Sequence, residues 1–168
     1  CSSEASSSLL QRITAANYQL AEIAKAEPAL NGMGTTRIAI LRSNNKLVLA
    51  HIGDSRAFLD RDGKLTQLTK DHSFVQSLLD EGRITEEEAM GHPQRSLVTR
   101  VLTGQHDDEP DVTVREARIG DRYLIASDGL TDYVAGDTIA EMVLAGEAPG
   151  ATADRLVRSP ARKARLHL

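Results

Sequence analysis

The chain is 168 residues long, 40% hydrophobic and 26% charged, enough for one domain with a real core. A net charge of -4, aromatics at 3% and no Trp argue against a nucleic-acid binder and leave few platforms on which bases stack. Cys1 is the sole cysteine, which excludes an internal disulfide or a thiolate metal cluster and fits a reducing, cytoplasmic setting. No run approaches the length of a membrane span, and no basic-then-apolar signal opens the chain.

In chain order, residues 1–8 are Ser-rich and read as a frayed end or a helix start. Leu9, Ile13, Ala16, Leu20, Ile23 and Ala24 step by three and four, which predicts an amphipathic helix ending before Pro28. Asn31-Gly32-Met33-Gly34 reads as a loop. The period then changes: 35–41 and 46–52 read as strands, Gly53-Asp54-Ser55-Arg56 interrupts, and 57–60 and 65–68 flank a turn at Arg61-Asp62-Gly63-Lys64. The spacing predicts an antiparallel meander. After Asp71-His72-Ser73, the residues Phe74, Val75, Leu78 and Leu79 predict a short helix ending near Gly82. Thr85-Glu86-Glu87-Glu88 has capping-box spacing and opens another. The stretch 91–104 is polar and irregular, with His92, Pro93, Arg95 and Arg100. Strands are expected at 111–117 and 123–126, a helix capped by Asp137 through Leu144, and a last helix over 151–157. The segment 159–168, with Arg162, Lys163 and Arg165 after Pro160, reads as a basic, disordered tail.

The chemistry falls on three carboxylates. Asp54, Asp71 and Asp128 each follow an apolar run and stand beside small or polar residues. Carboxylates at strand ends suit Mg²⁺ or Mn²⁺, which take oxygen ligands and keep waters. Taken singly, each Asp also fits a turn, and Ser127-Asp128-Gly129 also reads as an Asp-Gly turn opening a helix. His51, His72, His92, His106 and His167 lack helical zinc-ligand spacing. No Gly-x-Ser-x-Gly elbow and no phosphate-cradling Gly-rich loop ending in Lys-Ser/Thr is present. Asn31-Gly32-Met33-Gly34-Thr35-Thr36 resembles a phosphate loop, but its glycines also suit a tight turn into the strand.

Several motifs occur in a fixed order: Gly32-Met33-Gly34-Thr35-Thr36, His51-Ile52-Gly53-Asp54-Ser55-Arg56, Leu68-Thr69-Lys70-Asp71-His72-Ser73, and Gly120-Asp121-Arg122-Tyr123-Leu124-Ile125-Ala126-Ser127-Asp128-Gly129-Leu130. Glu81-Gly82-Arg83-Ile84-Thr85, His92-Pro93-Gln94-Arg95-Ser96-Leu97 and Leu102-Thr103-Gly104 lie between them. With these the chain resembles the metal-dependent protein serine/threonine phosphatases of type 2C, the PPM family, in its bacterial form, over roughly residues 9–157. The resemblance implies an α+β fold, a β-sandwich of two antiparallel sheets flanked by α-helices. It also implies a binuclear Mn²⁺ or Mg²⁺ centre whose bridging water attacks phosphoserine or phosphothreonine. Asp128 then corresponds to a metal ligand of the core pair. Asp71, with Asp128, corresponds to a ligand of a third metal. Asp54, Ser127, Gly129 and His72 are expected in supporting or structural roles, and 73–101 is expected to form the flap beside the active site. Phosphorylated proteins, among them Ser/Thr kinases and their substrates, are the implied partners.

The chain also departs from the family pattern. No Asn-Glu-Asp element, no Asp-Gly-Met-Gly-Gly motif and no closing Gly-x-Asp-Asn motif is present, and Asn31 is uncharged where a bridging carboxylate would be needed. The expectation is therefore a catalytic domain over 1–158, incomplete at both termini, weak or inactive by itself. A non-catalytic phosphoprotein-binding or regulatory module is the alternative.

Overall fold

A computed structural model describes residues 2–105 and 109–159. From 160 onward the expected basic tail lies outside the described residues, as do His106 and His167. In chain order the elements are α1 (Ser2–Ala26), β1 (Arg37–Ser43), β2 (Lys46–Ile52), β3 (Arg56–Arg61), β4 (Lys64–Gln67), α2 (Phe74–Asp80), α3 (Glu86–Gly91), β5 (Asp111–Glu116), β6 (Arg122–Ala126), α4 (Asp128–Thr131), α5 (Gly136–Leu144) and α6 (Pro149–Val157). The class is α+β, with two antiparallel sheets.

The expected meander is two separate hairpins. β1 and β2 belong to a sheet of order β1-β2-β5, whereas β3 and β4 belong to one of order β4-β3-β6. Local alternation predicts strands well, but the partner of a strand depends on residues far along the chain. Gly53-Asp54-Ser55 is where the chain leaves one sheet for the other. The chain correspondingly forms two compact units, one from Cys1–Asp54 with Lys70–Arg118, the other from Ser55–Thr69 with Ile119–Leu168.

In the first unit, α1 ends before Pro28, which begins a single 3-10 turn because its ring cannot donate an amide hydrogen or continue the helix. Leu9 and Ile13 of α1 pack on Val48, Ala50 and Ile52, the alternate residues of β2, together with Leu102. Period 2 in the strand thus meets period 3.6 in the helix over one apolar layer. Each of the Leu, Ile and Val side chains among them contributes about 1.5–3 kcal/mol by leaving water. Asn17 fastens the middle of the helix: its amide donates to Gln105 O at 2.8 Å and its oxygen accepts from Gly104 N–H at 2.8 Å.

In the second unit the turn between β3 and β4 has Asp62 at φ 55° and Gly63 at φ 74°, the left-handed pair that a two-residue hairpin requires. Val134, Ile139, Val143 and Leu156 form the core, with Leu65 of β4 and Leu124 of β6 against it. Asp137 does not cap α5 as expected. The helix begins at Gly136 with Ala135 at the cap, so Asp137 lies in the first turn, where its charge still complements the exposed amides. Pro149 opens α6, a position at which its missing N–H is harmless.

Candidate functional site

Two of the three singled-out carboxylates lie on segments that the first unit ties directly together. Asp54 follows Gly53 at the end of β2, and Asp71 precedes His72 at the end of an extended stretch. His72 N–H donates to Gly53 O at 2.8 Å, and Gly53 N–H donates to His72 Nδ1 at 3.1 Å. One residue thus clasps the Gly53-Asp54 turn by backbone and side chain at once. Only glycine fits at 53: φ is 109°, and a Cβ there would lie 2.4 Å from Thr36 Cβ. That explains why the Gly-Asp-Ser-Arg motif begins as it does. Asp71, His72 and Ser73 are all buried and Asp54 is half-buried.

His72 has further neighbours that the sequence reading did not single out for chemistry. The His51 ring stacks on it, with centroids 4.9 Å apart and planes inclined by 24°. Asp111, opposite His51 in the β2–β5 register, brings Oδ2 to 2.9 Å from His72 Nε2. Arg100 donates to Asp111 Oδ1 through both terminal nitrogens. Burial pushes the Asp111 carboxyl up, but hydrogen bonds from His72 and Arg100 and the Arg100 charge outweigh it, so the group sits below its ordinary value. No local pattern marks Asp111, because its partner His72 is 39 residues away.

Residues 73–101, expected as a flap, leave this junction and return to it. Ser73 caps α2 by accepting from Gln76 N–H, and Thr85 and Glu88 form the expected capping box on α3. The excursion closes on itself: Ser73 bridges Val98, Phe74 N–H donates to Leu97 O at 2.9 Å, and Thr99 N–H donates to His72 O at 2.8 Å.

The third carboxylate belongs to the second unit. β6 ends at Ala126, and Ser127-Asp128-Gly129 turns into the short helix α4. Asp128 Oδ1 accepts from Gly129 N–H at 2.7 Å, and the side chain is exposed. Both original readings of this stretch are therefore compatible: it turns the chain into a helix, and it presents a carboxylate to solvent. Beside it lies an apolar cleft of about 270 Å³, lined by Leu124, Ser127, Gly129, Leu130, Ala153 and Leu156 among others. Arg122, in the same motif, is a fastening that sequence reasoning missed. Its guanidinium donates to Val143 O, Glu147 O and Thr152 Oγ1 at 2.9, 2.7 and 3.2 Å, joining the strand that leads to Asp128 to the end of α5 and the first turn of α6.

Among the described residues, no group of three or more His, Cys, Asp or Glu side chains is arranged to hold a metal ion. A Mg²⁺ or Mn²⁺ site takes an octahedron of oxygens. The side chains present do not by themselves fit such a centre.

The arrangement is α+β, with two antiparallel sheets and acidic turns at the ends of its strands. The protein phosphatase 2C model matches residues 2–165, and the chain belongs to that family, as the ordered motifs implied. It is 60% identical over 129 residues to the serine/threonine protein phosphatase PstP of Mycobacterium tuberculosis, covering 77% of this chain and 25% of PstP. It is 40% identical over 126 residues to the serine/threonine phosphatase stp of Listeria welshimeri, covering 75% of this chain and 50% of that one. The solved structure of M. tuberculosis PstP superposes with a TM-score of 0.79 at 53% identity, over 87% of this chain and 63% of that one. A structure of the PstP catalytic domain in complex with two manganese ions gives a TM-score of 0.83 at 51% identity, over 90% of this chain and 63% of that one. The chain thus spans a quarter of full-length PstP, half of the Listeria enzyme and under two thirds of these solved chains. No helix among the described residues is long and apolar enough to cross a membrane.

Proposed function

We propose that this chain is part of a metal-dependent protein phosphatase that hydrolyses phosphoserine and phosphothreonine esters. Asp128 and Asp71 are the carboxylates it contributes toward Mn²⁺ or Mg²⁺. The observation that carries the reading is the likeness to PstP at 60% identity, which runs through the motifs holding both residues. Asp128 serves the core pair of metals, and Asp71 serves a further one. Asp54, Ser127, Gly129 and His72 hold the turns on which these carboxylates sit. Residues 73–101 act as the flap that influences substrate access. The substrates are phosphorylated proteins of the cytoplasm, Ser/Thr kinases and their targets among them. The 168 residues alone bind Mn²⁺ weakly and turn over little, because Mn²⁺ needs several oxygen ligands.

A second reading, a phosphoprotein-binding module without turnover, is favoured by the lack of a three-ligand cluster among the described residues. Phosphate release from a phosphothreonine peptide and from a small aryl phosphate, with Mn²⁺ and the longest chain its gene encodes, separates the two. Turnover that Asp128→Ala abolishes supports the phosphatase. Unchanged turnover in Asp128→Ala removes the role given to Asp128, and tight phosphopeptide binding without release selects the binding module.

A further inference from the structure

Three segments of the first unit meet at His72: the turn after β2, the returning end of the 73–101 excursion, and the start of β5. Two of the three polar contacts to its ring favour one tautomer of the imidazole. Nδ1 lies 3.1 Å from the Gly53 nitrogen, and a backbone N–H only donates, so Nδ1 carries the lone pair. The ring proton is then on Nε2 and points at Asp111 Oδ2, 2.9 Å away. The other tautomer sets N–H against N–H at Gly53 and a lone pair against a carboxylate at Asp111, leaving only the contact with Arg100 Nη1 satisfied. Arg100 is itself committed to Asp111 Oδ1 at 3.1 Å and to the Glu109 carbonyl. It braces the carboxylate that receives the His72 proton. The stacked His51 ring limits rotation of the imidazole.

We propose that Asp111, braced by Arg100, is a positioning residue. By holding His72 as the Nε2–H tautomer, it locks the Gly53-Asp54 turn and the Asp71 segment to the returning end of the excursion. Its consequence for catalysis rests on the phosphatase reading, but the arrangement itself is tested without turnover. The route runs through hydrogen bonds whose ends are 19 and 39 residues apart. A slack Asp111 therefore loosens Gly53 and Thr99 together and leaves the centre of β2 intact.

The test is ¹⁵N spectroscopy of the histidine rings, with amide hydrogen exchange, on the 168-residue chain. The expected result is a His72 ring protonated at Nε2 alone. In Asp111→Ala the two tautomers mix, and exchange at Gly53 and Thr99 accelerates about tenfold or more while Leu49 is unchanged. Asp111→Asn keeps an acceptor oxygen and retains the wild-type tautomer, so it decides the matter even where Asp111→Ala does not fold. An Nδ1–H tautomer in the wild type, loss of the Nε2–H tautomer in Asp111→Asn, or unaltered exchange in Asp111→Ala overturns the proposal. In the longest active form of the protein, Asp111→Ala raises KM for a phosphopeptide about fivefold or more with little change in kcat for an aryl phosphate. Equal loss on both substrates overturns the link to the excursion. Failure of the wild type to release phosphate overturns the phosphatase reading instead and leaves the tautomer and exchange results standing.

Discussion

Arg61 and Asp121 form a two-pronged ion pair across the second unit. Arg61 Nε lies 2.8 Å from Asp121 Oδ1, and Nη2 lies 2.7 Å from Oδ2. Asp121 belongs to the same motif as Asp128 and is 4% exposed at its side chain. The pair closes the β3 end against the β6 start, and Tyr123 Oη adds a donor to the same carboxylate at 3.1 Å. Parallel N–H donors on one carboxylate are among the stronger polar contacts a protein makes. Removing Arg61 leaves Asp121 buried with Tyr123 but without its counter-charge. Arg61→Ala is expected to lower the urea unfolding midpoint, and Arg61→Lys to recover only part, since an ammonium cannot make the fork. Equal stability of Arg61→Lys and wild type would show that the fork geometry contributes nothing.

Gly53→Ala is expected to destabilise the first unit by more than about 2 kcal/mol. The added methyl would sit 2.4 Å from Thr36 Cβ, at a φ of 109°. The same change at Gly63, which has nothing within 4 Å of its Cβ position, meets only the conformational penalty and costs about 1 kcal/mol. Thermal melts of the two variants rank them, and a smaller loss at Gly53 than at Gly63 would refute the steric account.

Asp111 makes the first unit sensitive to acid. Its carboxyl is held below the ordinary value in the folded chain, so the folded state binds fewer protons than the unfolded chain at moderately acid pH. The stability this contributes is fully present above the unfolded carboxylate pKa of about 3.9. It is lost as pH falls through the lower, folded value. Asp80, held down by Lys70 and Gln76, acts in the same direction. With Asp111 54% exposed, solvent screening keeps the effect small. Urea midpoints between pH 2.5 and 7 are expected to fall less steeply for Asp111→Asn than for wild type below about pH 4. Parallel curves would show that Asp111 does not contribute.

Thr85→Ala removes the hydroxyl that accepts Glu88 N–H at 3.2 Å and strands the reciprocal half of the capping box. The expected cost is about 1 kcal/mol, confined to α3. Hydrogen exchange should quicken at Glu88 and Ala89 and stay constant in β2. A cost spread through β2 would mean that the excursion and the sheet unfold together.

What the sequence determined by itself was governed by neighbours along the chain. The bounds of β2, the Asp62-Gly63 turn, the end of α1 before Pro28 and the capping box on α3 all follow from local backbone preferences, and each appears where expected. The motif order likewise made the family legible, and with it the roles proposed for Asp128 and Asp71. Local rules failed where the deciding partner is remote. Alternation marked β5 and an apolar run marked β6 as strands, but neither showed that β5 joins β2 and β6 joins β3, because any exposed strand edge offers the same ladder of N–H and C=O groups. Nor did either show that Asp111 and Arg100 converge on His72, or that Arg122 ties β6 to the end of α5 and the first turn of α6. These are contacts between side chains and groups brought together only when the sheets form. Tertiary structure alone decided them, because the free energy of such a bond depends on which groups share a desolvated neighbourhood, and no short stretch of sequence contains that information.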